Sequence, residues 1–258
     1  MKVTSIKTCG ITKRNKSLYK ILEKYVLSLK EKSVLVVTSK IIAICEGRVI
    51  KIGKIEKDEL IKKDKLIKQE ADYFLPSEEN PYNFSLTIKN NILAASAGID
   101  ESNGNGYYIL WPRNPQKTAN EVRRYLERRF SLKRVGVVIT DSKTTPQRWG
   151  VTGIAIAHSG FKALNDYRGK PDIFGRKFKV TQVSVMDGIA AAAVLVMGEG
   201  NEQTPLAIIE DIPFVRFQQR NPNKKELQGL KISVKEDLYA SLLTSVQWRK
   251  GDGGHNLK

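Results

Sequence analysis

Three acids in this chain stand where an apolar run gives way to polar residues: Asp100 in AGIDESN, Asp141 in ITDSKTT and Glu199 in VMGEGNEQTP. Carboxylates displayed at the ends of rigid elements are suited to a hard divalent cation, and a cation held that way neutralises the oxygens of a nucleoside triphosphate. Cations for the same phosphates are at hand in Lys40, which directly follows an apolar run, and in Arg148 or Arg176. Asp187, inside an apolar stretch, either joins such a site or is satisfied by a local hydrogen bond. Each acid alone also has an ordinary reading as a helix cap or a solvent-facing group, and it is their recurrence at element ends that suggests a shared site. There is no Walker sequence, no dinucleotide-type glycine fingerprint and no kinase signature. Spacing alone therefore reaches no further than a metal–phosphate site.

The elements that must position these residues can be read from periodicity. SLYKILEKYVLSLKE, residues 17–31, puts Leu18, Ile21, Leu22, Tyr25, Val26 and Leu29 on one stripe and predicts an amphipathic helix. SVLVVTSK predicts a buried strand, and IIAICEGRVIKI a further extended stretch that turns at Gly47. A second helix is expected over about 57–75, punctuated by Pro76 and Pro81, and a third over 116–131 with Ala119, Val122, Leu126 and Phe130 on one face. The run Val135 to Ile139 reads as a buried strand that ends at Asp141. After it come a strand in VTGIAIAHSGF, a turn-rich loop in LNDYRGKPDIFGRKF, a helix in TQVSVMDGIAAAAVLVMGE that is apolar nearly all round and so expected to be buried, and a strand in TPLAIIED. KGDGGHNLK predicts a flexible tail. Strands and helices mix without strict alternation, which points to a mixed α/β (α+β) class rather than a simple doubly wound sheet.

Composition narrows the chemistry. Two cysteines and two histidines in 258 residues rule against a thiolate or histidine-rich metal centre, leaving magnesium or manganese held by oxygen. No apolar run approaches the roughly 18 residues of a membrane span, and the N-terminal residues lack the apolar core of a signal peptide, so a cytoplasmic location is expected. The net charge of +17 has three readings: lysine-rich solvated helix faces, a nucleic-acid partner, or attraction of small polyanionic substrates into a cleft. No ribonucleoprotein, zinc-finger or helix-turn-helix pattern supports nucleic acid, which stays as the alternative reading from a different class.

The segments VVTSKIIAICEGR, AGIDESN, ITDS, RGKPDIFGRKF and DGIAAAAVLVMGEGNEQTPLAII, in that order, resemble the motifs of the coenzyme F420-0:gamma-glutamyl ligase family over roughly residues 8–217. The resemblance implies a two-domain α/β fold, an intertwined homodimer, and a GTP- (or ATP-) dependent ligase that joins L-glutamate to a carboxylate acceptor through an acyl phosphate. It implies Asp100 and Asp141 as ligands of two divalent ions, magnesium or manganese, with Ser142 and Glu199 at the second. Ser39, Lys40 and Asn103 would contact the nucleotide, as would Met197, Gly198, Gly200 and Thr204 of one loop and the segment Gly10, Ile11, Thr12 and Lys13. Asp141, Lys40 and Arg148 are the residues expected to carry the chemistry, within a catalytic region spanning 1–217 on which a C-terminal segment, 218–258, packs. Two departures bear on the acceptor. Ile44 stands where members making the deazaflavin coenzyme carry a lysine, and KTTPQRWG replaces a Gly-Arg-Pro-Trp-Arg stretch, with Arg148 standing in for one of its arginines. The subtype resembles a bacterial branch acting on folates, so the expected acceptor is either a folate or the deazaflavin precursor coenzyme F420-0. The missing lysine also leaves open a member that binds nucleotide without turnover.

Overall fold

The computed structural model describes residues 1–53 and 56–254. Its main sheet has five strands in the order β1 (Lys2–Ile6), β12 (Leu206–Glu210), β2 (Val34–Thr38), β8 (Gly136–Thr145) and β9 (Arg148–Ser159). Within it β2 and β8 run parallel and the other neighbours antiparallel. A smaller sheet, in the order β13 (Arg249–Lys250), β4 (Tyr73–Phe74), β5 (Leu86–Lys89) and β6 (Ile92–Ala95), lies beside it, and two ribbons pair β3 (Val49–Lys51) with β7 (Tyr107–Ile109) and β10 (Leu164–Asp166) with β11 (Gln182–Ser184). The helices are α1 (Leu18–Tyr25), α2 (Ser39–Cys45), α3 (Glu56–Glu70), α4 (Pro115–Phe130), α5 (Val185–Met197), α6 (Lys224–Gln228) and α7 (Ala240–Leu243). This is the mixed α/β class expected.

The central strands read as unbroken apolar runs because both faces of the sheet are covered. Leu35 and Val37 of β2, with Val137 and Ile139 of β8, pack under Leu18 and Leu22 of α1 and Val122 and Leu126 of α4. Val34, Val36 and Val138 point the other way, against Ile189, Ala190 and Ala193 of α5.

Several expectations change. SKIIAIC is helix, not strand: Thr38 caps it, its hydroxyl accepting from the Lys40 N–H at 3.3 Å, and Ile41 and Ile42 then turn into the core. The stripe over 17–31 is helical only to Tyr25, although Val26 and Leu29 remain buried. The strand through Val138 does not stop at Asp141. It continues to Thr145, turns at Pro146 and Gln147, where Gln147 takes a φ of 61°, and returns as β9. Pairing with β9 satisfies the backbone past Asp141, so polar residues there do not end the strand. Lastly, α5 is not buried all round, since Leu195 is 84% exposed.

Of the stretch expected to be a free tail, Lys250 pairs with Tyr73. Gly251, Asp252, Gly253 and Gly254 donate to the carbonyls of Asp72, Lys68, Ala71 and Gln69, and residues 255–258 lie outside the described ones. The segment after 217 also touches α4 and the main sheet, where Asn221 accepts from Arg123 and Ser159 respectively.

His158 of β9 is buried with its ring tilted against Phe161, 5.3 Å between centroids, and burial pushes its pKa down to about 4 from the usual 6.5. The unfolded chain therefore takes up this proton before the folded one does, so the stability is complete above about pH 6.5 and is lost as pH falls towards 4. His158→Leu is expected to remove about 2–3 kcal/mol of the acid-side loss, read as a flatter dependence of the urea midpoint between neutral pH and pH 4.5. An unchanged slope contradicts the assignment.

Candidate active site

A cavity of about 620 Å³ opens where β2 ends and β8 passes. Thr38 and Thr140, the last paired residues of the parallel strands, form its floor. Because Thr38 caps α2, Lys40 sits in the first turn of that helix with its side chain at the cavity. The Lys40 ammonium lies 2.6 Å from Asp100 Oδ2 and also donates to Ser102, 3.0 Å to its carbonyl and 3.2 Å to its hydroxyl. Asp100 is fixed by a backbone bridge to Ile109 and accepts from the Ser102 N–H at 2.8 Å. Burial works against its ionisation, but Lys40 and Ser102 outweigh it and hold the carboxyl below the usual carboxylate range.

Asp141 lies just past a register shift in the β8–β9 pairing, between Ile139 and Thr140. Its Oδ2 accepts from the indole N–H of Trp111. Burial pushes its carboxyl up to about 6; the Trp111 and Ser142 N–H groups oppose that rise, and the charge of Asp100 adds to it. Next in the strand, the Ser142 hydroxyl donates to Glu199.

Glu199 belongs to a loop wrapped around its own acid. Gly198 ends α5 with a φ of 74°, and a Cβ there would meet the Glu202 carboxylate, which accepts from the Gly200 N–H at 2.8 Å. Asn103 ties this loop to the Asp100 segment, donating to the Gly200 carbonyl at 2.8 Å, and Thr8 ties it to the N-terminal segment, donating to the Gln203 carbonyl at 2.8 Å.

The residues expected at the site thus converge. Gly10, Ile11 and Thr12 line the cavity from one side and Met197, Gly198, Glu199, Gly200 and Thr204 from another. Lys40, Asp100, Asn103, Asp141 and Ser142 complete it. Three expected residues do not line it. Ser39 is buried, Lys13 lies over the Tyr107 ring at 5.2 Å, and Arg148 pairs with Thr145 at the hairpin turn, about 13 Å of strand beyond Asp141. Arg176 is likewise elsewhere, its N–H donating to Asp172. Asp187 takes the local reading, accepting from the Ala155 N–H at 3.0 Å and the Ser184 hydroxyl at 2.7 Å. Sequence reasoning missed Trp111 and Glu202; a tryptophan just ahead of a proline in YILWPRNP was the available signal for the first.

Among the described residues no group of three His, Cys, Asp or Glu side chains is close enough to hold a metal ion unaided. Asp100, Asp141, Ser142 and Glu199 offer oxygen donors at this cavity, and carboxylates with a serine hydroxyl suit an ion that completes its shell with phosphate and water.

The sequence profile of F420-0:gamma-glutamyl ligase matches residues 6–211, a stretch that contains every residue lining the cavity. The chain belongs to the F420-0:gamma-glutamyl ligase family. A coenzyme F420:L-glutamate ligase of Methanococcus maripaludis strain C7 is 36% identical over 206 residues, covering 76% of this chain and 82% of that protein. The ligase of the same name from Methanocaldococcus jannaschii is 36% identical over 197 residues, 72% and 79% of the two chains, and that from Archaeoglobus fulgidus 36% over 188 residues, 69% and 75%. Membership makes this F420-0:gamma-glutamyl ligase family protein an enzyme that forms carbon–nitrogen bonds. No helix among its described residues is long and apolar enough to cross a membrane.

Behind the cavity lies a buried ion triad. Arg48 grips both oxygens of Glu70 at 2.6 and 2.7 Å, Lys89 contacts the same carboxylate, and Arg48 Nε donates to the Trp111 carbonyl at 3.1 Å. Burial opposes ionisation of Glu70, but the two cations outweigh it and keep the carboxyl below its usual range. At Lys89 burial prevails and holds the ammonium below the usual lysine range. Glu70→Gln leaves two buried cations without their counter-charge and is expected to cost about 3–5 kcal/mol in a denaturant titration. A loss below about 1 kcal/mol contradicts a triad that holds this region together.

Proposed function

We propose that this protein is a GTP- (or ATP-) dependent gamma-glutamyl ligase whose acceptor is coenzyme F420-0. The observation that carries the reading is the convergence of Lys40, Asp100 and Asp141 on one cavity inside the stretch matched by the family. Joining an amine to a free carboxylate is uphill, so the acceptor must first be activated. An acceptor carboxylate oxygen attacks the terminal phosphorus and the nucleoside diphosphate leaves; the glutamate amine then attacks the acyl carbon and inorganic phosphate leaves. Such transfer depends on positioning and on charge at the phosphoryl oxygens. Lys40 supplies a cation at the cavity that would exchange its contact with Asp100 for one with phosphate. The segment Gly10 to Thr12, Asn103 and the loop from Met197 to Thr204 enclose the nucleotide.

Asp100 and Asp141, with Ser142 and Glu199, would hold magnesium or manganese, and the relief of two like-charged carboxylates facing one cavity supports that assignment. The cation supplies charge neutralisation at the phosphate oxygens. A homodimer is the assembly that the motif resemblance implies, and such an assembly would have exposed apolar side chains such as Leu195 and Phe174 available to cover.

A second acceptor, a monoglutamyl folate, has one observation in its favour: Ile44, in place of a lysine, gives the cavity an apolar wall. Mass spectrometry of reactions with glutamate, each nucleotide, manganese or magnesium, and either acceptor tests both. Addition of glutamyl units to coenzyme F420-0 is expected; addition to the folate alone moves the assignment to folate tailing, and addition to neither contradicts the ligase reading. Asp141→Asn is expected to lower turnover by at least about 100-fold while the thermal midpoint stays within a few degrees, and a folded, fully active variant removes Asp141 from the site. Lys40→Ala is expected to raise the KM for nucleotide more than that for glutamate; a change in acceptor preference alone contradicts its role.

A further inference from the structure

The chemistry above uses Asp141 but not the side chain that touches it. Trp111 is 2% exposed and follows β7, and its indole N–H donates to Asp141 Oδ2. Three contacts fix the indole. The ring crosses the backbone at Gly98, which has a φ of 72°, and a Cβ there would overlap indole atoms Nε1, Cε2 and Cδ1. The Lys89 ammonium lies 5.5 Å from the ring centroid. The Trp111 carbonyl accepts from Arg48, and both cations grip Glu70. The indole is thus clamped between a glycine made for it and the buried triad.

A buried indole needs only an acceptor, and a backbone carbonyl would serve. Here the acceptor is a carboxylate that faces the cavity. The chemistry of the donor matters too. An indole N–H orients a carboxylate without cancelling its charge, whereas a lysine or arginine in its place would take the negative charge that a cation needs. Groups behind a ligand that fix its orientation commonly alter metal affinity or activity by about 10–100-fold when removed.

We infer that Trp111 is a positioning residue: it anchors Oδ2 of Asp141 so that the rest of the carboxylate is presented to the cation and phosphates of the cavity. This rests on the reading of Asp141 as a metal ligand. It predicts that losing one N–H, with the ring outline kept, weakens metal binding.

Site-specific replacement of Trp111 by 3-benzothienylalanine exchanges the N–H for sulfur and keeps the ring outline, while 7-azatryptophan keeps the N–H. Manganese binding is followed by electron paramagnetic resonance, with the β,γ-imido analogues of GTP and ATP present. The benzothienyl protein is expected to bind manganese about 10–100-fold more weakly than wild type, with an unchanged thermal midpoint and glutamate KM and a lower kcat. The azatryptophan protein is expected to match wild type. A benzothienyl protein that binds like wild type overturns the inference, as does an azatryptophan protein as impaired as the benzothienyl one. Wild-type protein that takes up no manganese, or Asp141→Asn protein that binds it unchanged, overturns the underlying reading of the site and the inference with it. Trp111→Phe, made by ordinary mutagenesis, is a second variant expected to weaken binding in the same direction.

Discussion

A half-buried carboxylate facing a second one across the cavity is the constraint on which the site depends. A charged Asp141 in that position is costly unless donors and cations are brought to it, since removing an ion from water costs several kcal/mol even after relaxation. The fold brings the Trp111 indole and the Ser142 N–H directly, and Lys40 through Asp100. To do so it converges the end of β2, the middle of β8, the bridge at Asp100 and the segment after β7 on one point. Behind them the Arg48–Glu70–Lys89 triad ties α3, β5 and the segment after α2 to the Trp111 backbone. The smaller sheet and its ion triad therefore support a site whose floor belongs to the larger sheet.

Much of this architecture is legible in the sequence because burial leaves simple periodicity. Alternate residues of Val34 to Val37 and Val137 to Ile139 serve opposite faces of a covered sheet, and the stripes of α1 and α4 cover one of those faces. The segments that misled are those where local chemistry and tertiary pairing compete. Ile41, Ile42 and Ile44 favour a strand by type, yet a threonine cap and burial on one side make a short helix. Residues Asp141 to Thr145 look like a loop by polarity, yet β9 pairs with each of them. Leu195 looks buried by type and is exposed in the single chain.

The site residues were legible in a different way. Acids at element ends suggested a shared cavity, and the motif resemblance gave them roles that periodicity could not. The structure gathers Asp100, Asp141 and Ser142 on one wall and sets Arg148 apart at the hairpin turn. Trp111 escaped because nothing in its neighbours' spacing links it to Asp141, 30 positions later; the connection exists only once the segment after β7 is folded against β8. Under the proposed reading, the charge of +17 would draw an anionic nucleotide and glutamate toward the protein.

In the proposed reaction this cavity transfers a phosphoryl group to the acceptor carboxylate before the amide forms. The most direct measurement uses coenzyme F420-0 labelled with oxygen-18 in its terminal carboxylate and follows the label into inorganic phosphate by mass spectrometry. One labelled oxygen in phosphate for each amide formed is the predicted result. Amide formation with unlabelled phosphate would contradict the account.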